Sequence, residues 1–192
     1  MFYEPSGGHP LPHNPFYAIV TPRPIGWIST RGQHGDNLAP YSFFNAVASD
    51  PPQVVFASNG TKDSLTNIRA TGVFAVNIVS EALMQSMNQT SANLPLGTDE
   101  FTHAGLTKTE CTTIACSFVA ASPAVLECRM TQIIQLDGAD NHLILGAVTG
   151  IHIADDCIIN GRLDVTRFHP VARLGYKDYA IVRDVIAVDR PR

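Results

Sequence analysis

The chain has 192 residues, of which 45% are hydrophobic and 16% charged, and carries a formal net charge of −4. That balance describes one globular domain spanning residues 1–192, with ample core material and no disordered character. It gives no electrostatic case for nucleic acid or an anionic membrane surface, and no apolar run approaches the ~20 residues that cross a bilayer.

The first basic residue is Arg23, so no secretory signal is expected and the expected location is cytoplasmic. Short β-branched or aromatic runs bounded by Pro, Gly or Asn predict strands over 16–21, 25–30, 53–58 and 73–80. Between the third and fourth of these, Asp63 or Ser64 is expected to cap a helix over 64–71, which Gly72 stops. Ser80 is expected to cap a second helix with Leu83, Met84 and Met87 inward, and Thr98 to start a single turn ended by Gly105. Alternation over 126–136 puts Leu126, Cys128, Met130, Ile134 and Leu136 on one face, with Glu127, Arg129, Thr131 and Gln135 on the other. Asp137-Gly138-Ala139-Asp140-Asn141 reads as a hairpin loop, and Gly146 and Gly150 in the return strand mark bulges of the kind that curl a sheet. The sum predicts a mainly β fold, an antiparallel barrel with a few short helices.

The four cysteines, Cys111, Cys116, Cys128 and Cys157, form no C-x-x-C pair and read as reduced structural thiols. The seven histidines are scattered, so no metal site is expected. There is no G-x-G-x-x-G after a strand, no phosphate-binding G-x-x-x-x-G-K-[ST] and no G-x-S-x-G elbow. What remains is Ser58-Asn59-Gly60-Thr61-Lys62-Asp63-Ser64, which leaves a strand, turns, and enters a helix. Free amides, the helix dipole and the Lys62 ammonium would converge there on a phosphate-sized anion, with Ser58, Thr61 and Ser64 as hydroxyl donors. The plainer reading is a polar turn before a capped helix, with the Asp63 carboxylate as the cap. Ala39-Pro40-Tyr41-Ser42-Phe43-Phe44-Asn45 is uncharged, with Ser42 and Asn45 set among three aromatics. Such a segment suits a planar, hydrogen-bonding heterocycle; otherwise it is a hydrophobic strand with a proline bend. A planar ring at one stretch and a phosphate at the other together describe flavin mononucleotide (FMN).

The pieces "TPRPIGWIST", "NLAPYSFFNAVASDPP", "TKDSLTNIRATGVFAVNIVS", "TDEFTHAGLT", "DNHLILGAV" and "ARLGYKDYAIV" resemble, in order and spacing, the flavin reductase-like family of FMN-binding split-barrel proteins. The resemblance implies a Greek-key split barrel, a homodimer with FMN near its interface, and reduction of the flavin by NAD(P)H. A flavin reductase serving a separate monooxygenase is the first function it implies. A flavoredoxin-like electron carrier with tightly held FMN is the second, and a non-catalytic module for another planar ligand such as haem is the third. By resemblance the cofactor is held by segment 39–45, with Arg23, Asn37, Arg173 and Tyr176 near it. His142 and Tyr176 fall on the nicotinamide side. No catalytic acid or base is implied, since the cofactor carries the chemistry.

Overall fold

The structure, a computed structural model, describes residues 1–191. A single turn, α1 (Phe16–Ile19), precedes β1 (Arg23–Pro24). Four strands follow in succession, β2 (Gly26–Gly32), β3 (Gly35–Tyr41), β4 (Phe44–Ser49) and β5 (Pro52–Asn59), then α2 (Asp63–Thr71) and β6 (Val73–Ile78). Two short helices, α3 (Met84–Gln89) and α4 (Glu100–His103), lead to the small hairpin β7 (Lys108–Glu110) and β8 (Ser117–Val119). The long hairpin β9 (Ala124–Leu136) and β10 (Asn141–Ile153) comes next, followed by β11 (Ile158–Ile159), β12 (Arg162–Leu163), β13 (Val171–Arg173) and β14 (Tyr179–Ile181).

The main sheet is antiparallel, in the order β3-β2-β6-β9-β10-β5-β4. Its two outermost strands, β3 and β4, are consecutive in the chain and joined only by Ser42 and Phe43. Three Cα steps reach about 11 Å at most, so the sheet has to curl until its edges approach. The result is a split barrel, and the turn at Ser42-Phe43 lies on its seam.

The barrel interior is filled by Ile28, Phe44, Phe56, Phe74, Val76, Cys128 and Ile144, with Leu65 and Ile68 of α2 packed against it. The neighbouring residues of β2 point the other way: Trp27 joins Leu38, Leu83, Met87, Phe101 and Val119 in a second core under α3 and α4. Trp27 is fully buried and its indole N–H donates to Thr90 Oγ1 at 2.9 Å. β2 therefore has no polar face, as expected of a strand covered on both sides.

The register of β10 against β9 shifts at Leu145/Gly146 and at Val148/Gly150, where the glycines predicted bulges. A Cβ at Gly146 would lie 2.4 Å from Phe74 Cζ, so the aromatic ring uses the space the glycine leaves. Gly146→Ala should therefore lower stability by about 1–3 kcal/mol through overpacking, read as a drop in the thermal midpoint. An unchanged midpoint would mean that Phe74 has room to move.

Several local expectations are corrected. The predicted strand over 16–21 is the helical turn α1: Pro15 has αR backbone geometry, and Asn14 Oδ1 accepts from Phe16 N–H at 3.0 Å. Phe16, Tyr17, Ile19 and Val20 find no strand partner and stay exposed. Helix α2 begins one residue earlier than expected, with Lys62 at the N-cap and no side-chain cap. Asp63 is already helical, and Ser64 Oγ donates instead to Asn37 Oδ1 at 2.7 Å. Gly72 does end the helix, at φ 72°. Ser80 precedes a 3-10 turn over Glu81–Leu83 without capping it, and Asp99, not Thr98, caps α4. Glu127, expected on the polar face of β9, is fully buried beneath the hairpin formed by β7 and β8. Among the described residues no helix is long and apolar enough to cross a membrane.

Candidate functional site

Two cavities open along the seam. The larger, about 670 Å³, is lined by Arg23 and Ile25, by Pro40 and Ser42, by Asn88 and Ser91, and by Arg173, Tyr176 and Tyr179. The N-terminal segment closes one side of it with Pro12, His13, Asn14 and Tyr17. The smaller, about 320 Å³, is bounded by Asn37, Ala39, Tyr41, Lys62, Asp63, Ser64 and Glu100. Pro40 and Ser91 line both, so the two form one groove with a bend at Pro40.

Arg23 organises the larger cavity. It is buried, and its guanidinium donates to the carbonyls of Tyr17, Val20 and Leu174, at 2.6 Å for Tyr17 and 2.8 Å for Leu174. It thus ties the N-terminal segment to the end of β13 while its plane lies 5.6 Å from the Phe43 ring centroid. Burial, then the nearby Arg173 cation, lower its pKa from an ordinary value that is very high, and it remains a cation. Arg23 Nε, also buried, has no hydrogen-bond partner among the described residues.

The opposite wall is held by close backbone approach. A Cβ on Gly175 would come within 2.6–3.0 Å of Ala18 atoms, so only glycine lets α1 settle there. The following residue, Tyr176, has φ 56°, a left-handed geometry that is costly for an aromatic residue, by roughly 1–3 kcal/mol. Arg173 clamps its carbonyl, and its half-exposed ring packs 5.6 Å from His13. Arg173 also covers the Tyr179 ring at 4.5 Å. No Asp or Glu lines this cavity, which is aromatic and cationic.

The smaller cavity is polar. Glu100 accepts from Asn37 Nδ2 at 3.1 Å and from Leu38 N–H at 3.0 Å, and burial pushes its carboxyl above the usual range. The Tyr41 hydroxyl is buried and, among the described residues, has no partner of good geometry; the neighbouring Ser58 and Ser64 hydroxyls donate to Gly60 O and Asn37 Oδ1. The start of α2 opens into the same space. The first amides of a helix have no acceptor within it, and among the described residues no side chain caps these. They point, with Lys62, to where an anion is stabilised by the helix dipole.

The expected site residues separate accordingly. Arg23, Pro40, Ser42, Arg173 and Tyr176 come together in the larger cavity, and Asn37, Ala39, Pro40, Tyr41, Lys62, Asp63 and Ser64 in the smaller. Four residues lie outside both. Asn45 sits on exposed β4 and accepts from Ala46 N–H. Ser58 is buried against Gly60 O. Thr61 gives its amide and hydroxyl to Asp140, at 2.6 and 3.1 Å, so the turn expected to cradle an anion is already tied to the β9–β10 loop. His142 is buried between Ser58 of β5 and Gln135 of β9, its Nδ1 3.5 Å from Asp140 Oδ1. His13, Tyr17, Asn88, Ser91 and Glu100 were not anticipated. They come from loops and helical turns whose sequence patterns speak only of local structure, none of which points to a cavity.

A closed antiparallel sheet split at one seam, with a two-part groove along that seam, places the protein among the split barrels. Nitrilotriacetate monooxygenase component B from Bacillus cereus superimposes with a TM-score of 0.89 at 27% identity, covering 98% of each chain. The 2-nitrobenzoate 2-nitroreductase of Pseudomonas fluorescens gives 0.87 at 28% identity, covering 100% of this chain and 96% of the other. Residues 18–166 match the flavin reductase like domain, and the chain belongs to that family, a family of flavin-linked oxidoreductases. An uncharacterized protein of Deinococcus radiodurans is 37% identical over 187 residues, which cover 90% of this chain and 82% of the relative.

Proposed function

We propose that the protein is an FMN-binding oxidoreductase that passes electrons from NAD(P)H to a flavin, as the reductase of a two-component monooxygenase system or for a small acceptor. The observation that carries this reading is one groove with an aromatic, uncharged-to-cationic end and an uncapped helix start beside Lys62 at the other. Both parts fit the cofactor: each wall holds a buried polar atom without a protein partner, Arg23 Nε in the larger cavity and Tyr41 Oη in the smaller.

In this reading the residues hold, orient and exclude water. The N–H groups opening α2 and the Lys62 ammonium hold the phosphate, with Ser91 at the bend. Segment 39–42 offers backbone groups and the Ser42 hydroxyl to the polar edge of the ring, and Arg23 and Arg173 keep the larger cavity positive. The bound flavin supplies the redox chemistry, so no catalytic acid or base is required of the chain. Accumulated positive charge near the ring favours the reduced, anionic form. Asp63 and Glu100 lie near the phosphate end. Burial raises the Glu100 carboxyl above its usual range, against the opposing pull of its bonds to Leu38 and Asn37.

The lining of the larger cavity, free of acids and rich in aromatics, favours planar anionic acceptors, and similarity to a 2-nitrobenzoate 2-nitroreductase supports that destination for the electrons. The protein acts as a homodimer in this reading; the exposed Phe43 and Val47 on the seam side offer apolar surface for a second copy. Light scattering at micromolar concentration is expected to give twice the chain mass, and a monomer that still holds FMN would remove the dimer from the account.

Fluorescence titration of the protein with FMN, riboflavin and FAD tests the cofactor assignment. FMN is expected to bind most tightly; equal binding of FMN and riboflavin would contradict a phosphate site. Tyr176→Ala separates the two ends of the groove. A packed aromatic contact is worth about 0.5–1.5 kcal/mol, so both FMN and riboflavin should weaken by the same roughly 2- to 10-fold factor. Selective loss of FMN alone would place Tyr176 at the phosphate end.

A further inference from the structure

The hairpin that covers Glu127 carries two cysteines in register. β7 pairs with β8 as Lys108↔Val119, Thr109↔Phe118 and Glu110↔Ser117. One step nearer the turn, Cys111 lies opposite Cys116, and the Cys111 N–H donates to the Cys116 carbonyl at 2.9 Å. Cys111 packs against the buried cluster that contains Cys116, the Cys116 thiol reaches the carbonyls of Ser29 and Ser117 at 3.4 Å, and both thiols are free. Residues directly opposite in an antiparallel pair have Cα atoms about 4.5–5.5 Å apart, inside the roughly 4.4–6.8 Å that a disulfide bridges. Cys116 is fully buried against Ile114, Val73 and Val125, while Cys111 is partly exposed, so a small reagent reaches the pair from the Cys111 side. The two thiols titrate as one unit: contact with Cys111 lowers Cys116, and contact with Cys116 raises Cys111. The remaining cysteines are different. Burial in the barrel core pushes Cys128 up to about 12, and buried Cys157 lies against Asp156, which also raises it.

We propose that Cys111 and Cys116 are a redox site that closes reversibly to an intrachain disulfide when the protein meets a peroxide. The pair lies outside both cavities of the groove and is independent of the flavin reading. One sulfur attacks a peroxide oxygen, the O–O bond breaks, and hydroxide leaves. The second sulfur displaces hydroxide from the resulting sulfenic acid. Two thiols and hydrogen peroxide thus give one disulfide and two waters, the sulfurs losing two electrons and the peroxide oxygens gaining them. The bond would seal the four-residue loop 112–115, whose Thr112 and Thr113 amides hold the buried Glu127 carboxylate at 2.7 and 2.5 Å. Oxidation should therefore lock that loop and raise the thermal midpoint by a few degrees.

The test treats the full-length protein with a small excess of hydrogen peroxide, then counts thiols under denaturing conditions and maps peptide 109–129 by tandem mass spectrometry without reduction. The expected result is a fall from four free thiols to two, a loss of two hydrogens located between Cys111 and Cys116, and full recovery with dithiothreitol. Cys111→Ser should keep its remaining thiols under the same treatment and show no rise in midpoint. Because Cys111 is partly exposed, that variant spares the core that Cys116→Ser would disturb. Oxidation of Cys128 or Cys157 ahead of this pair, chain-to-chain disulfides, irreversible oxidation, or four thiols retained would each overturn the proposal.

Discussion

Lys62→Ala should weaken FMN binding by roughly tenfold to a hundredfold while leaving riboflavin binding unchanged. A charge-assisted contact to a phosphate is worth about 1.5–3 kcal/mol, and each 1.4 kcal/mol is a factor of ten. Lys62 stands where that contact is made. It occupies the N-cap of a nine-residue helix without capping it, so its ammonium and the uncapped amides face the same space. Thr61 is the internal control: its amide and hydroxyl already serve Asp140, so Thr61→Ala should disturb FMN far less than Lys62→Ala. Parallel titrations of both flavins against the two variants decide it. Equal weakening of FMN and riboflavin by Lys62→Ala would move the phosphate elsewhere.

The largest stability effect is expected at Glu127. Its carboxylate, itself without solvent exposure, accepts from the Thr112 and Thr113 amides and from the Thr113 hydroxyl of the exposed loop, and lies 2.5 Å from His152 Nε2. Burial alone would raise its pKa, but His152 and the threonine donors outweigh burial and hold it at about 2. Removing it deletes four contacts to one buried carboxylate and frees the 112–113 loop and His152 that it ties down, so Glu127→Ala should cost about 3 kcal/mol, some 6–12 °C in midpoint for a domain of this size. The sign of the pH effect follows from the depressed value. The unfolded chain binds the proton at an ordinary carboxyl pKa near 4.5, the folded chain only near 2. The stabilisation is therefore complete above about pH 4.5 and drains away as pH falls toward 2. Thermal melts between pH 7 and pH 2.5 should show a steep acid loss in the wild type that is much shallower in Glu127→Gln. Parallel pH slopes would detach acid stability from this carboxylate.

The strands that build the barrel were legible because each has a local signature: β-branched runs ended by Pro or Gly, and two glycines where β10 kinks. The two ends of the groove were legible as well. Segment 39–42 and the start of α2 do face one continuous space, although 19 or more residues separate them in the chain. What escaped is what depends on distant chain. Residues 16–21 have a strand's composition, yet without a free sheet edge they wind into α1 and wall the cavity. Glu127 alternates as a surface residue should, and only the folding over of residues 107–120 buries it. The Ser58–Thr61 turn has an anion site's residues, but Asp140, 79 positions beyond Thr61, takes its donors. His142 carries a sequence likeness to the family motif and lies buried outside either cavity of this chain.

Anaerobic titration of the FMN-loaded protein with NADH and then NADPH, followed by absorbance, tests the central claim most directly. The account predicts that at least one nucleotide bleaches the yellow bound flavin stoichiometrically, and that an electron acceptor or air restores the colour. A protein that takes up no FMN at micromolar concentration, or whose bound FMN stays yellow with both nucleotides while dithionite bleaches it, would contradict it.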